Sequence, residues 1–147
     1  MVIMDGKALS KEVRENLKND VTELRKNGIV PKLAVILVGN DSASQIYVRS
    51  KNKACNELGI EYEEILLDEN TKMQELLDII DSLNARKDIS GILLQSPIPK
   101  HLDINEAFKR IVPEKDIDGF NPVSIRKTLL KPRHIYFMYT TWNNETT

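Results

Sequence analysis

Three polar residues stand where packing alone would not put them: Lys51, Gln95 and Asp118. In "SASQIYVRSKNKACNELG", residues 42–59, a 3.6-residue period places Tyr47, Val48, Lys51, Ala54, Cys55 and Leu58 on one stripe. Arg49, Asn52, Lys53, Asn56 and Glu57 fall on the opposite, wet face. Lys51 therefore sits in the middle of the face that should be buried, one turn from Tyr47. Gln95 follows an apolar run of strand character, at the position where open α/β sheets form their ligand crevice. Asp118 lies in the turn-rich "EKDIDGF". An amine, an amide and a carboxylate placed this way could bind a polar ligand. Each also has an ordinary reading. A lysine on an inner face can snorkel its head to water, a glutamine can cap a strand end, and aspartate before glycine is common turn chemistry.

The rest of the chain excludes several other chemistries. Two histidines (His101 and His134) and one cysteine (Cys55) leave no cluster of zinc spacing. His101 reads as a surface residue after a proline loop, and Cys55 as a small core residue. No G-x-S-x-G elbow is present, and six scattered glycines form neither G-x-G-x-x-G nor a Walker loop. No metal or cofactor-binding residue is assigned. With 21 basic and 22 acidic residues, the chain carries no basic footprint for nucleic acid and no charge bias toward a membrane surface. The longest apolar run, "LAVILVG", is too short to span a bilayer, and the N-terminus lacks the layout of a signal peptide. These features together read as a cytoplasmic protein.

The elements that must position the three residues alternate helix and strand. "LSKEVRENLKNDVTELRKNG" predicts a helix with Ser10 as N-cap and Gly28 as stop. "KLAVILVGND" predicts a strand buried on both faces of a parallel sheet. The Lys51 helix follows, closed by Gly59, and "IEYEEILLD" predicts a strand. "TKMQELLDIIDSLNARKD" predicts a helix with a Thr71/Gln74 capping box. "ISGILLQSPIP" predicts a second buried strand, ended by Pro97 and Pro99. "LDINEAFKRI" predicts a short helix with Asp103 and Glu106 in capping positions. This order argues for right-handed βαβ units in an α/β, three-layer αβα domain with a mostly parallel sheet. On residues alone, the reading ends at a ligand-binding α/β domain.

The same residues carry a resemblance. "SASQIYVRSKNKACNELGI" resembles the Y-V-x-x-K helix of the bifunctional methylenetetrahydrofolate dehydrogenase/methenyltetrahydrofolate cyclohydrolases. "GILLQSPIPKHLD" resembles their G-I-x-V-Q-L-P-L-P-x-H segment, and "IVPEKDIDGFNPVSI" their I-x-P-x-K-D-V-D-G-F-x-P segment. The departures are Ser96, where leucine is usual, and Asn121, where histidine or asparagine occurs. The resemblance covers residues 1–125 and implies a folate-binding catalytic domain there. It implies Lys51 as the catalytic general acid/base and Gln95 as its hydrogen-bonding partner. It implies Tyr47 against the folate ring system and Asp118 on the pterin edge. It further implies tetrahydrofolate derivatives as substrate, NADP as the cofactor of the intact family, a role in one-carbon metabolism and purine biosynthesis, and a homodimer.

The family's second, dinucleotide-binding half is expected to be missing from this chain. After Ile125 the family continues with G-x-L and C-T-P-x-G, whereas here stand Arg126, Lys127 and Thr128, and no C-T-P follows. Residues 126–147 keep no clear period and hold Tyr136, Phe137, Tyr139 and Trp142, half of the eight aromatics. Read one nucleotide later, Met138 before Tyr139 must yield cysteine, and Trp142 before Asn143 must yield glycine. The codons between allow Thr-Pro-x, and Arg126-Lys127-Thr128 allow Gly-Lys-Leu. Residues 126–147 are thus expected to be a divergent, out-of-frame tail, with a natural tail as the alternative. On this reading the coding DNA restores both motifs after a one-nucleotide shift near codon 125. A gene in which no such shift restores them identifies the tail as natural.

Overall fold

The computed structural model describes residues 6–130, with side chains except at residues 7, 8 and 127–130. The elements run α1 (Gly6–Lys26), β1 (Lys32–Val38), α2 (Ser42–Leu58), β2 (Glu61–Leu67), α3 (Met73–Ala85), β3 (Gly91–Leu94), α4 (Ile104–Arg110) and α5 (Pro122–Leu130). The strands form one parallel sheet in the order β2-β1-β3.

Burial explains that order. Ala34 to Val38 are all buried in β1, so the continuous apolar run takes the centre, paired on both edges. In β2 exposure alternates, with Glu61, Glu64 and Leu66 turned outward, as suits an edge strand. Alternate residues of β1 feed two cores. Ala34, Ile36 and Val38 pack with Leu76 and Ile80 of α3 and Ala107 of α4. Val35 and Leu37 pack with Val48 of α2 and Leu93 of β3 on the other face. The result is the expected three-layer α/β arrangement. Removing a side chain such as Ile36 or Leu76 from water contributes roughly 1.5–3 kcal/mol each. α1 adjoins α2 where Val21 lies against Gly59 and the Arg25 Nε–H donates to the Gly59 carbonyl at 2.7 Å.

Several caps follow the sequence. Gly59 takes φ 79° and ends α2, and Ile60 N–H returns to the Cys55 carbonyl at 2.9 Å. Asp103 caps α4 by accepting from the N–H groups of Asn105 and Glu106. Three expectations are corrected. Ser10 is not the N-cap of α1, which starts one turn earlier at Gly6; the intervening Lys7, Ala8 and Leu9 are good helix formers. Thr71 and Gln74 make no capping box. The N-cap is Lys72 without a side-chain bond, Thr71 is buried, and the Gln74 amide donates to Asp78 Oδ1 one turn on. Residues 126–130, read as lacking a period, continue α5; its exposed Val123 and Ile125 leave no apolar stripe to signal it. The expected tail from residue 131 onward lies outside the described residues.

The segment after α4 is the part of the fold that serves the site most directly. Lys115 donates its Nζ hydrogens to the carbonyls of Leu83, Asn84 and Arg86, closing the C-terminal end of α3. Ile92 N–H donates to the Lys115 carbonyl at 2.8 Å, and Ile92 and Asp116 form a parallel bridge. The loop thus lies along the free edge of β3 like a fragment of a fourth strand. A Cβ built on Gly91 would come within 2.5 Å of Ile117 Cγ2, so glycine there is what lets the loop approach. We predict that Gly91→Ala lowers the unfolding free energy in urea by about 1–3 kcal/mol, the usual cost of overpacking. An unchanged midpoint and slope would show that the loop does not depend on that contact.

Candidate functional site

The parallel strands deliver the three polar residues to one end of the sheet. Gln95 comes directly after β3, its N–H held by the Ile36 carbonyl at 2.9 Å. Its side chain is buried. The Nε2 group donates to the Ser96 carbonyl at 2.7 Å, which turns Oε1 toward α2. Lys51 sits midway along α2, and its Nζ donates to Gln95 Oε1 at 2.9 Å. The same Nζ is 5.9 Å from the centroid of the Tyr47 ring, one helical turn back. Tyr47 is 43% exposed, so its ring offers an open apolar face beside the amine. Of the stripe read from the sequence, Val48 and Cys55 are buried and Lys51 is half-buried.

Asp118 completes the group electrostatically. Burial pushes its carboxyl up to about 6; the Lys51 ammonium pulls it down and the neighbouring Asp116 pushes it up. Burial likewise holds the Lys51 ammonium below its ordinary pKa, and Asp118 offsets this only in part. Each group is partly desolvated by the fold, and their mutual attraction does not fully compensate either. The amine therefore discharges more readily than an exposed lysine. A carboxylate facing it can accept two parallel hydrogen bonds from a heterocycle bearing a ring N–H and an exocyclic amine.

The bland readings of two other residues hold. Cys55 is buried, and burial raises its thiol pKa. His101 is exposed and donates from Nε2 to the Thr71 carbonyl at 2.9 Å, tying the proline loop to the start of α3.

Residues that the sequence reading passed over hold the Asp118 loop. Asp116 accepts from Gly119 N–H at 3.0 Å through Oδ1 and from Asn121 N–H at 2.9 Å through Oδ2. Asn121 is buried. Its Nδ2 donates to the carbonyls of Lys109 and Ile111, and its Oδ1 accepts from Val123 N–H at 2.8 Å. Asn121 is the N-cap of α5, and its signature was present in the sequence as asparagine followed by Pro122 at the first helical position. Phe120 packs against Phe108 of α4 with ring centroids 4.7 Å apart.

The turn between β1 and α2 bears on dinucleotide binding. Its one glycine, Gly39, is followed by Asp41, whose carboxylate accepts from Ser44 N–H at 2.7 Å and so occupies the α2 N-terminus. A pyrophosphate there would meet a carboxylate rather than a glycine cradle, so these residues do not fit a nicotinamide dinucleotide.

Comparison with known proteins places the chain in a family. Residues 4–118 match the family "Tetrahydrofolate dehydrogenase/cyclohydrolase, catalytic domain". The chain belongs to that family. The bifunctional protein FolD of Exiguobacterium sp. is 49% identical over 129 residues, covering 88% of this chain and 46% of that one. FolD of Campylobacter concisus is 52% identical over 127 residues, covering 86% and 45%. Among solved structures, the Campylobacter jejuni FolD dehydrogenase/cyclohydrolase superposes with a TM-score of 0.86 at 44% identity, covering 88% and 46%. The Trypanosoma brucei enzyme, complexed with NADP cofactor and an inhibitor, gives 0.82 at 33% identity, covering 90% and 45%. The chain thus spans about half the length of the relatives it matches. No described helix is long and apolar enough to cross a membrane.

The raised carboxyl at Asp118 has a consequence for stability. A carboxyl whose folded pKa lies above its unfolded value favours folding only when protonated. That contribution is full below the ordinary 3.8 and is lost as pH rises through about 6. Asp118→Asn, neutral at every pH, should therefore be more stable than the wild type at pH 8 by up to about 3 kcal/mol, with the gap closing by pH 4. Thermal unfolding at the two pH values checks this, and an equal gap at both would contradict it.

Proposed function

We propose that this chain carries the folate-processing site of a methylenetetrahydrofolate dehydrogenase/methenyltetrahydrofolate cyclohydrolase. The single observation that carries the reading is the half-buried Lys51 amine, donating to the buried Gln95 amide at 2.9 Å and facing Asp118. In this reading Asp118 grips the pterin edge, Tyr47 lies against the ring system, and Gln95 holds the Lys51 amine in place. Lysine is a poor base at neutral pH, its reference pKa being about 10.4. Desolvation in the cleft and a cationic methenyl substrate both disfavour the ammonium. Neutral Lys51 then accepts a proton from water as the water oxygen adds to the methenyl carbon. As the adduct collapses, its hydroxyl loses a proton to become the formyl C=O, the carbon–N5 bond breaks and N5 takes up a proton; the proton held by Lys51 is released to solvent, and 10-formyltetrahydrofolate leaves.

The dehydrogenase step, oxidation of 5,10-methylenetetrahydrofolate with NADP, stands differently. The turn between β1 and α2, with Asp41 at the helix N-terminus, does not fit the pyrophosphate of that cofactor. Among the described residues the cyclohydrolase step has its candidate groups, and we expect it to be weak because the chain spans about half the length of the relatives it matches. The intact protein is proposed as a cytoplasmic homodimer serving one-carbon metabolism and purine biosynthesis.

A second reading is a folate-binding module without catalysis. It is favoured by the open face of Tyr47, which suits stacking whether or not water is activated nearby. Loss of 5,10-methenyltetrahydrofolate absorbance separates the two. The catalytic reading expects turnover above the spontaneous rate, falling about a hundredfold or more in Lys51→Ala. Equal rates for both proteins and the buffer blank, with folate still raising the unfolding temperature, would leave only the binding module.

A further inference from the structure

The catalytic reading assigns no task to Asp116, although its carboxylate is fully engaged and lies two residues from Asp118. We propose that Asp116 is a positioning residue for Asp118, the carboxylate read as gripping the pterin edge: by receiving the N–H groups of Gly119 and Asn121 it folds the loop that carries Asp118 toward Lys51. The inference rests on the proposed role of Asp118, but its geometry does not.

The loop is held on both sides of Asp118. Upstream, Asp116 bridges to Ile92 on the edge of β3, and Ile117 fills the space left by Gly91. Downstream, Gly119 takes φ 72°, a left-handed conformation that turns the chain back toward Asp116. Both Asp116 oxygens then close rings across the intervening residues, one reaching three residues ahead and the other five. Asp118 lies inside both rings, so its backbone is fixed without any bond from its own carboxylate being needed. That leaves the Asp118 oxygens available to a ligand. Asp116 has a second effect: as a like charge in the same loop it raises the proton affinity of Asp118, while Lys51 of α2 opposes it. Among the described residues, Lys51 of α2 and Asp116 of the same loop are the charged groups that act on Asp118.

Asparagine at position 116 keeps the shape but can receive only one of the two N–H groups, so it tests position without deleting volume. The full 147-residue chain is used, with tetrahydrofolate as the probe. Asp116→Asn should weaken tetrahydrofolate binding about tenfold, the scale of one lost charge-assisted hydrogen bond. In an Asp118→Asn background the same change should have less than about a twofold effect, because a residue that acts only through Asp118 has nothing left to position. Equal weakening in both backgrounds, or none in either, overturns the proposal. If the wild type binds no tetrahydrofolate, the functional reading fails but this inference is still decided by the free protein. There the Asp118 carboxyl carbon, followed by NMR, should titrate at lower pH in Asp116→Asn, and an unmoved midpoint overturns it. Should Asp116→Asn not fold, Asp116→Ser, which retains one short acceptor, enters the same two measurements.

Discussion

The hydrogen bond from Lys51 to Gln95 is the interaction around which the described structure is arranged. It joins an α2 side chain to the residue that ends β3, across the face of the sheet. It needs the Gln95 amide turned with its oxygen toward α2, which the bond from Nε2 to the Ser96 carbonyl secures. It also needs an amine partly stripped of water. Burial supplies this, because Val48 and Cys55 on either side of Lys51 draw that stripe of α2 toward the core. A lysine in such a place costs stability when charged. The fold accepts that cost where a dischargeable amine has a use.

Opposite the amine, the structure places a carboxylate that is uncomfortable in the same way. Lys51 and Asp118 each lose hydration, and each is stabilised only in part by the other. In the proposed reading the residual imbalance is what a substrate uses. The pterin edge supplies hydrogen bonds to Asp118, and the cationic carbon favours a neutral lysine.

The opposite end of the sheet shows the contrasting case. Arg86 is bound by both oxygens of Glu63 at 2.6 and 2.8 Å and also by Asp88, with Lys32 joining Asp88, Glu61 and Glu63. The Asp88 carboxyl is held well below the usual carboxylate range, first by its hydrogen bond from Arg86. There the charges satisfy one another near water, and the arrangement tethers strand ends without offering chemistry. One end of the sheet is electrostatically closed and the other is left open.

The amino-acid sequence determined the alternating elements, the central place of β1 and the inward stripe of α2, because apolar periodicity and length report burial directly. It also singled out Lys51 and Gln95, since an ionisable or amide group on an otherwise apolar pattern is visible without coordinates, and Asp118 as an acidic residue in a turn-rich loop. It did not reveal the two ends of α3, where Thr71 is buried rather than capping the start and Lys115, 31 residues after Asn84, closes the C-terminal end. Nor did it reveal why Asp118 faces Lys51. That was decided by Asp116, Gly91 and Asn121, whose partners lie in other elements and whose signals are ordinary turn residues. Local preference reads along the chain, whereas a half-buried carboxylate near a half-buried amine exists only after the β3 edge, the α2 face and the loop have met in space.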